Sequence, residues 1–145
     1  MPYNDDDQEQ DDRQYRAQQH PLALHVKELT ETLNALLAYP ENESDLVKTH
    51  IEIIQESFYL IKAKLYSALR SDSYLVCMQN ASIIRYHAEF LLVSSHSLDS
   101  LDSFDKEHVA VFRKEMEEFR TLFKAWVQEI KAMDKEDFED EWGVF

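Results

Sequence analysis

One glycine, Gly143, and three prolines are the only strong backbone punctuation in this 145-residue chain. A β-sandwich, a barrel or a series of βαβ units needs many tight turns, and turns draw on those residues, so the chain is expected to be nearly all helix. The same scarcity removes Gly-rich phosphate loops and the Gly-x-Ser-x-Gly nucleophile turn, each of which needs more than one glycine. The lone Cys77 has no intramolecular disulfide partner. No apolar stretch approaches the ~18 uninterrupted residues of a membrane span. Positive charge is also scarce: fifteen Lys and Arg against twenty-nine Asp and Glu leave −14, the wrong sign for neutralising phosphates or an anionic bilayer surface. Nucleic acid and membrane are therefore not expected partners. An acidic beginning with no apolar leader core points to a reducing cytoplasm.

What the chain does have is a 44% apolar, 12% aromatic composition, enough for one globular core. Between residues 20 and 133 the apolar positions recur at alternating spacings of three and four, the period of a helix with one buried stripe. Pro21 opens a first helix with Leu22, Val26, Leu29, Leu33 and Leu36 along one line, and Pro40 ends it. Asn42 and Ser44 offer capping oxygens to a second helix striped by Val47, Ile51, Ile54, Phe58, Ile61, Leu65 and Ala68, with Leu46, Ile53 and Leu60 widening that face. Ser71, Asp72 and Ser73 turn the chain into a third helix, with Ala81, Ile84, Ala88, Leu91 and Ser95 aligned and Val76, Ile83 and Phe90 beside them. The Ser- and Asp-rich run from Ser94 to Ser103 breaks the pattern. A fourth helix then carries Val109, Phe112, Met116, Phe119, Phe123, Trp126, Ile130 and Met133.

Short connections make sequential helices antiparallel neighbours, so the expected fold is all-α, an antiparallel up-down-up-down four-helix bundle spanning 20–133. Ala81, Ala88 and Ser95 are the small residues expected to receive the aromatic rings of the fourth helix. Residues 1–19 hold six acids, two arginines and few large side chains, a composition that reads as a disordered acidic N-terminal tail. Residues 134–145 form a short acidic C-terminal tail with six acids and one lysine. The two ends account for −9 of the −14, which leaves the middle mildly acidic.

A four-helix bundle invites a metal site. The ferritin-like pattern requires two Glu-x-x-His pairs projecting inward, and the chain contains none; Asp105-x-x-His108 stands alone. The remaining metal constellation is His50, His96 and His108, which the expected topology places at one end of the bundle with the donor type that suits Zn²⁺, Ni²⁺ or Fe²⁺. His87, among Ile83, Ile84, Phe90 and Leu91, is expected to be buried or nearly so, and Asn80, His87 and Ser94 form a polar line at spacings of seven. Buried polar groups need partners, so this line reads as a register-fixing set with a Tyr hydroxyl bonded to His87, or as the wall of a ligand cavity. No cofactor is expected. Cys77, between Val76 and Met78, reads as a small core hydrophobe.

The most distinctive surface pattern lies on the second helix, where Tyr59, Lys62, Tyr66 and Arg70 place two rings and two cations on one strip. Such a strip suits an acidic, aromatic peptide through stacking, cation–π contact and charge pairing. The chain carries one itself: in Asp137-Phe138-Glu139-Asp140-Glu141-Trp142-Gly143-Val144-Phe145 three rings follow helical spacing amid four acids. Its acidic, Phe-terminated end resembles the partner-recruiting tip of bacterial single-stranded-DNA-binding proteins, a likeness that covers only these last residues and implies a portable docking peptide. The expected function is contact with a protein partner or self-association, as an adaptor or accessory subunit rather than a catalyst. The alternative is a metal- or small-ligand-binding bundle using the three-histidine end or a cavity around His87.

Overall fold

A computed structural model describes residues 5–41, 43–135 and 141–143. Its elements, in chain order, are α1 (Asp5–Gln19), α2 (Pro21–Leu37), α3 (Asp45–Leu69), α4 (Tyr74–Ser100) and α5 (Lys106–Lys131), with no strand among the described residues. Every stripe named above supplies the core. Leu22, Leu29, Ile54, Ile61, Leu65, Ile84, Leu91, Phe112, Phe119 and Ile130 are almost completely shielded from solvent and belong to one hydrophobic cluster. The stripes are narrower than expected, because Leu46, Ile53 and Ile83 face solvent. A helix between two neighbours buries only part of its circumference, and these three lie at the edge of the apolar arc.

The helix boundaries follow capping chemistry. His20 is extended and its Nδ1 accepts the Leu22 amide at 3.1 Å, with Pro21 at the first helical position. Nδ1 is thus the acceptor, so Nε2 carries the proton and donates to Glu129 Oε2 at 2.9 Å, tying the start of α2 to the far end of α5. Ser44, Ser73 and Asp105 cap α3, α4 and α5. Asn42, the other expected cap, lies outside the described residues. Ser73 accepts the Val76 amide at 3.2 Å while its own amide donates to Ser71 Oγ at 3.1 Å. Ser73→Ala is expected to lower the unfolding free energy by about 1 kcal/mol, read as a fall in urea midpoint; an unchanged midpoint would show that the α3–α4 turn does not depend on this cap.

Two expectations about organisation are corrected. Residues 5–19, most of the 1–19 stretch expected to be a disordered tail, form a helix. Local support replaces the missing apolar surface: Asp5, Asp6 and Asp7 sit at the positive end of the helix dipole, Arg16 lies in its last turn, and Glu9 pairs with Arg13 one turn later at 2.9 Å. The helix docks by burying Ala17 and by an Arg13–Asp72 pair at 2.8 Å to the α3–α4 turn. The serine-rich run does not break α4 at Ser94 either; the helix continues to Ser100. Ser94 and Ser95 are buried, and Ser95 Oγ donates to the Leu92 carbonyl at 2.6 Å, so the hydroxyl satisfies itself on its own helix. The turn falls at Asp102, whose φ of 53° is a left-handed conformation that Asp tolerates better than most residues.

Contacts between helices identify which ends meet. Cys77, early in α4, is buried and its Sγ donates to the Ala68 carbonyl at the end of α3 at 3.3 Å. Arg113, early in α5, reaches Ser95 and Asp99 near the end of α4. The Glu41 amide donates to the Ser103 carbonyl at 2.9 Å, joining the loop after α2 to the loop after α4.

Candidate interaction surfaces and polar clusters

The α3 strip is divided by its neighbours. Tyr59 is 66% exposed and Tyr66 39%. Lys62 lies not over either tyrosine but over Phe58, with Nζ 5.2 Å from the ring centroid. Arg70 folds back over Tyr66 at 5.9 Å and its Nε donates to the Tyr66 carbonyl at 3.2 Å. Arg70 and Ser67 also line a cleft whose other wall is α1, with Asp6, Glu9 and Arg13. Acidic side chains of the chain's own first helix therefore already face the cationic end of the strip.

The polar line of α4 is partly as expected. Asn80 and Ser94 are buried, and His87 is half-buried. The partner of His87 is Ser57 on α3, with 3.3 Å between Nδ1 and Oγ, while the Tyr86 ring contributes an edge contact at 5.2 Å and not a hydroxyl. No tyrosine hydroxyl bonds His87 among the described residues; Ser57, reaching across from α3, takes the place expected for one.

The three-histidine constellation is not assembled. No group of three His, Cys, Asp or Glu side chains able to hold a metal ion occurs among the described residues. His50 donates from Nδ1 to the Leu46 carbonyl of its own helix at 2.8 Å, and His96 and His108 face solvent. Three histidines on three helices must match in rotation as well as in height before they can hold one ion.

Two clusters were not anticipated from the pattern. Between α2 and α5, His25 is 7% exposed and Nε2 lies 2.7 Å from the Glu115 carbonyl oxygen; a carbonyl only accepts, so Nε2 carries the hydrogen. Thr32 donates to Glu115 Oε1 at 2.8 Å. The signal was present in the spacing, since His25 stands three after Leu22 and four before Leu29, inside the apolar arc. Between α4 and α5, Arg113 donates to Ser95 Oγ at 3.2 Å, to the Ser95 carbonyl at 3.1 Å and to Asp99 at 2.6 Å. Ser95 was expected to accommodate an aromatic ring and instead receives a guanidinium, because a buried hydroxyl and carbonyl offer acceptors that a ring would leave unpaired.

The other two small residues border an opening. Ala88 lines a cleft of about 250 Å³ with Phe119, Phe123 and Met116, and Ala81 lines one of about 590 Å³ with Phe123 and Met78. Both clefts include Arg85, Phe123 and Lys124, so they join into one groove along α4 and α5. Phe123 stacks on Phe119 at 6.1 Å and meets Trp126 edge-on at 5.7 Å, which holds its ring at the groove wall. Arg120 and Lys131 complete a basic rim.

At the C-terminal end, Lys135 Nζ lies 5.4 Å from the Tyr74 ring centroid, at the first residue of α4. Trp142 is 89% exposed. Phe138 and Phe145 lie outside the described residues. No helix among the described residues is long and apolar enough to cross a membrane. No family model, curated protein or solved structure matches this chain.

Proposed function

We propose that this protein is a non-enzymatic adaptor or accessory subunit of the cytoplasm, acting by protein–protein contact. Its frame in this reading is an antiparallel up-down-up-down bundle of α2 to α5 with α1 laid against one end. The end-to-end pairings of His20 with Glu129, Cys77 with Ala68 and Arg113 with Asp99 support that topology. The observation that carries the functional reading is the pair of solvent-facing tyrosines, Tyr59 and Tyr66, seven residues apart on one face of α3 with Lys62 and Arg70 between and beyond them. The core is complete without them, and large rings held outside it on one helix face are the residue type that anchors partner interfaces.

The test is affinity purification of the full-length chain from its native cell, beside a Tyr59→Ala/Tyr66→Ala variant. Because both rings are exposed, the variant is expected to keep its melting behaviour, with a stability change of about 0.5 kcal/mol or less per site. A partner recovered in stoichiometric amount with the native chain is expected to fall at least about tenfold with the variant, the loss of one modest anchor. Equal recovery with both, or no stoichiometric partner with either, would defeat the reading.

A further inference from the structure

We infer that the groove between α4 and α5 receives the acidic aromatic C-terminal segment, residues 136–145, of a second copy of this chain. The inference rests on the protein-contact reading and names one partner for it. Three observations lead to it.

The first is charge. In a chain of net −14, four of its fifteen cations, Arg85, Arg120, Lys124 and Lys131, border this apolar groove against one acid, Glu89. Arg85 and Arg120 are held by Glu89 and Glu117 on their own helices at 3.2 and 2.9 Å. These are exposed pairs of the kind that contribute little and exchange readily. Among the described residues Lys124 and Lys131 have no ion-pair partner. Residues 136–145 carry five acids and no base.

The second is shape. The groove follows α5 from Met116 to Lys131, roughly 22 Å at the rise of a helix. Phe138, Trp142 and Phe145 lie within eight residues, a reach of no more than about 25 Å even when extended, comparable with the groove and its apolar floor of Ala81, Ala88 and Phe123. Two alanines and a ring held edge-on leave room for incoming aromatic anchors.

The third is position. The segment leaves the bundle beside Tyr74, on the same line of α4 as Met78, Ala81 and Arg85, so it starts at the mouth of the groove. Trp142 is 89% exposed in the single copy, so burying its ring in a neighbour's groove would remove apolar surface from water. The α3 strip is the poorer site for this peptide, since Asp6 and Glu9 of α1 already face Arg70 there and like charges repel. With a two-fold axis each copy gives one segment and receives one, a closed and self-complementary exchange.

The experiment is sedimentation of the full chain over a wide concentration range at low and high salt. The native 17.2 kDa chain is expected to double in mass as concentration rises, with weaker pairing at high salt because the contact is partly ionic. Arg85→Glu/Lys124→Glu, which alters only exposed side chains, and Trp142→Ala, which alters only the segment, are each expected to weaken pairing by at least about tenfold. An equimolar mixture of these two variants is expected to regain part of the lost pairing, because one groove and one segment in the mixed pair are intact; a general loss of fold has no such rescue. A chain that stays single throughout, or a pair that survives in both variants, or variants that fail to complement, would overturn the inference. A single chain in which Trp142 becomes more accessible to a quencher after Arg85→Glu/Lys124→Glu would overturn it too, placing the segment in its own groove. None of these failures touches the α3 test, so loss of the exchange and loss of the adaptor reading are told apart.

Discussion

Replacing Phe112 by alanine is expected to lower the unfolding free energy by about 3–5 kcal/mol, a large share of what a domain of this size possesses. Phe112 is 0% exposed and sits in the α5 seam within the common hydrophobic cluster. Truncation removes the ring's transfer free energy and leaves a cavity that five packed helices cannot close without moving one another. Urea denaturation followed by far-ultraviolet circular dichroism reads the effect as a lower midpoint with an unchanged slope. Leu46→Ala and Ile53→Ala serve as the contrast. Both residues lie outside the core despite fitting the helical period, and each substitution is expected to stay within about 0.5 kcal/mol of the native value. A small effect at Phe112, or a large one at Leu46 and Ile53, would mean that the helices are rotated from the positions described.

Arg113→Ala is expected to cost about 1.5–3 kcal/mol, the range for hydrogen bonds that involve a charged group. The guanidinium bridges the last turns of α4 by bonding Ser95 through both its hydroxyl and its carbonyl, and it forks to Asp99. Removing it leaves the buried Ser95 without that donor and breaks the main polar tie between α4 and α5. Lysine is expected to recover less than half of the loss, because one ammonium cannot reach Nε and Nη positions in the planar geometry the three acceptors require. The Asp99 end is more solvated, so Asp99→Ala alone is expected to cost about 1 kcal/mol or less. A double-mutant cycle between Arg113 and Asp99 should return a coupling of about 0.5–1 kcal/mol. A coupling of zero with an intact Arg113→Ala effect would assign the whole contribution to Ser95.

The stripes of α2 to α5 were legible because burial on a helix repeats with the backbone period, and the backbone period is a local property. Leu22, Leu29, Ile61, Leu65 and Phe112 are where the alternation of three and four puts them. Ser44, Pro21 and the Ser71–Ser73 turn were legible for the same reason, since a cap acts within three residues of itself. α1 was misread because its stabilisation is ionic and short-range, from Glu9 and Arg13, together with an anchor, Asp72, that lies far along the chain. The candidate sites were less legible still. Tyr59 and Tyr66 share a face by spacing alone, yet α1 standing against Arg70 has no sign in α3 itself. His50, His96 and His108 illustrate the opposite error: an expected topology grouped them, but they form no metal-holding group among the described residues.

The sequence by itself determined that this chain is helical, where four of its helices lie and which edge of each avoids water. Those properties follow from turn residues, caps and a period of 3.6 residues, all read within a few positions. Only the tertiary structure decided that α1 folds against the turn at Asp72, that Ser95 accepts Arg113, that His25 is enclosed beside Glu115, and that four cations border an apolar groove between α4 and α5. Each depends on the rotation and offset of two helices about their own axes. Those two quantities are set by how side chains from distant parts of the chain interlock, and no local pattern contains them.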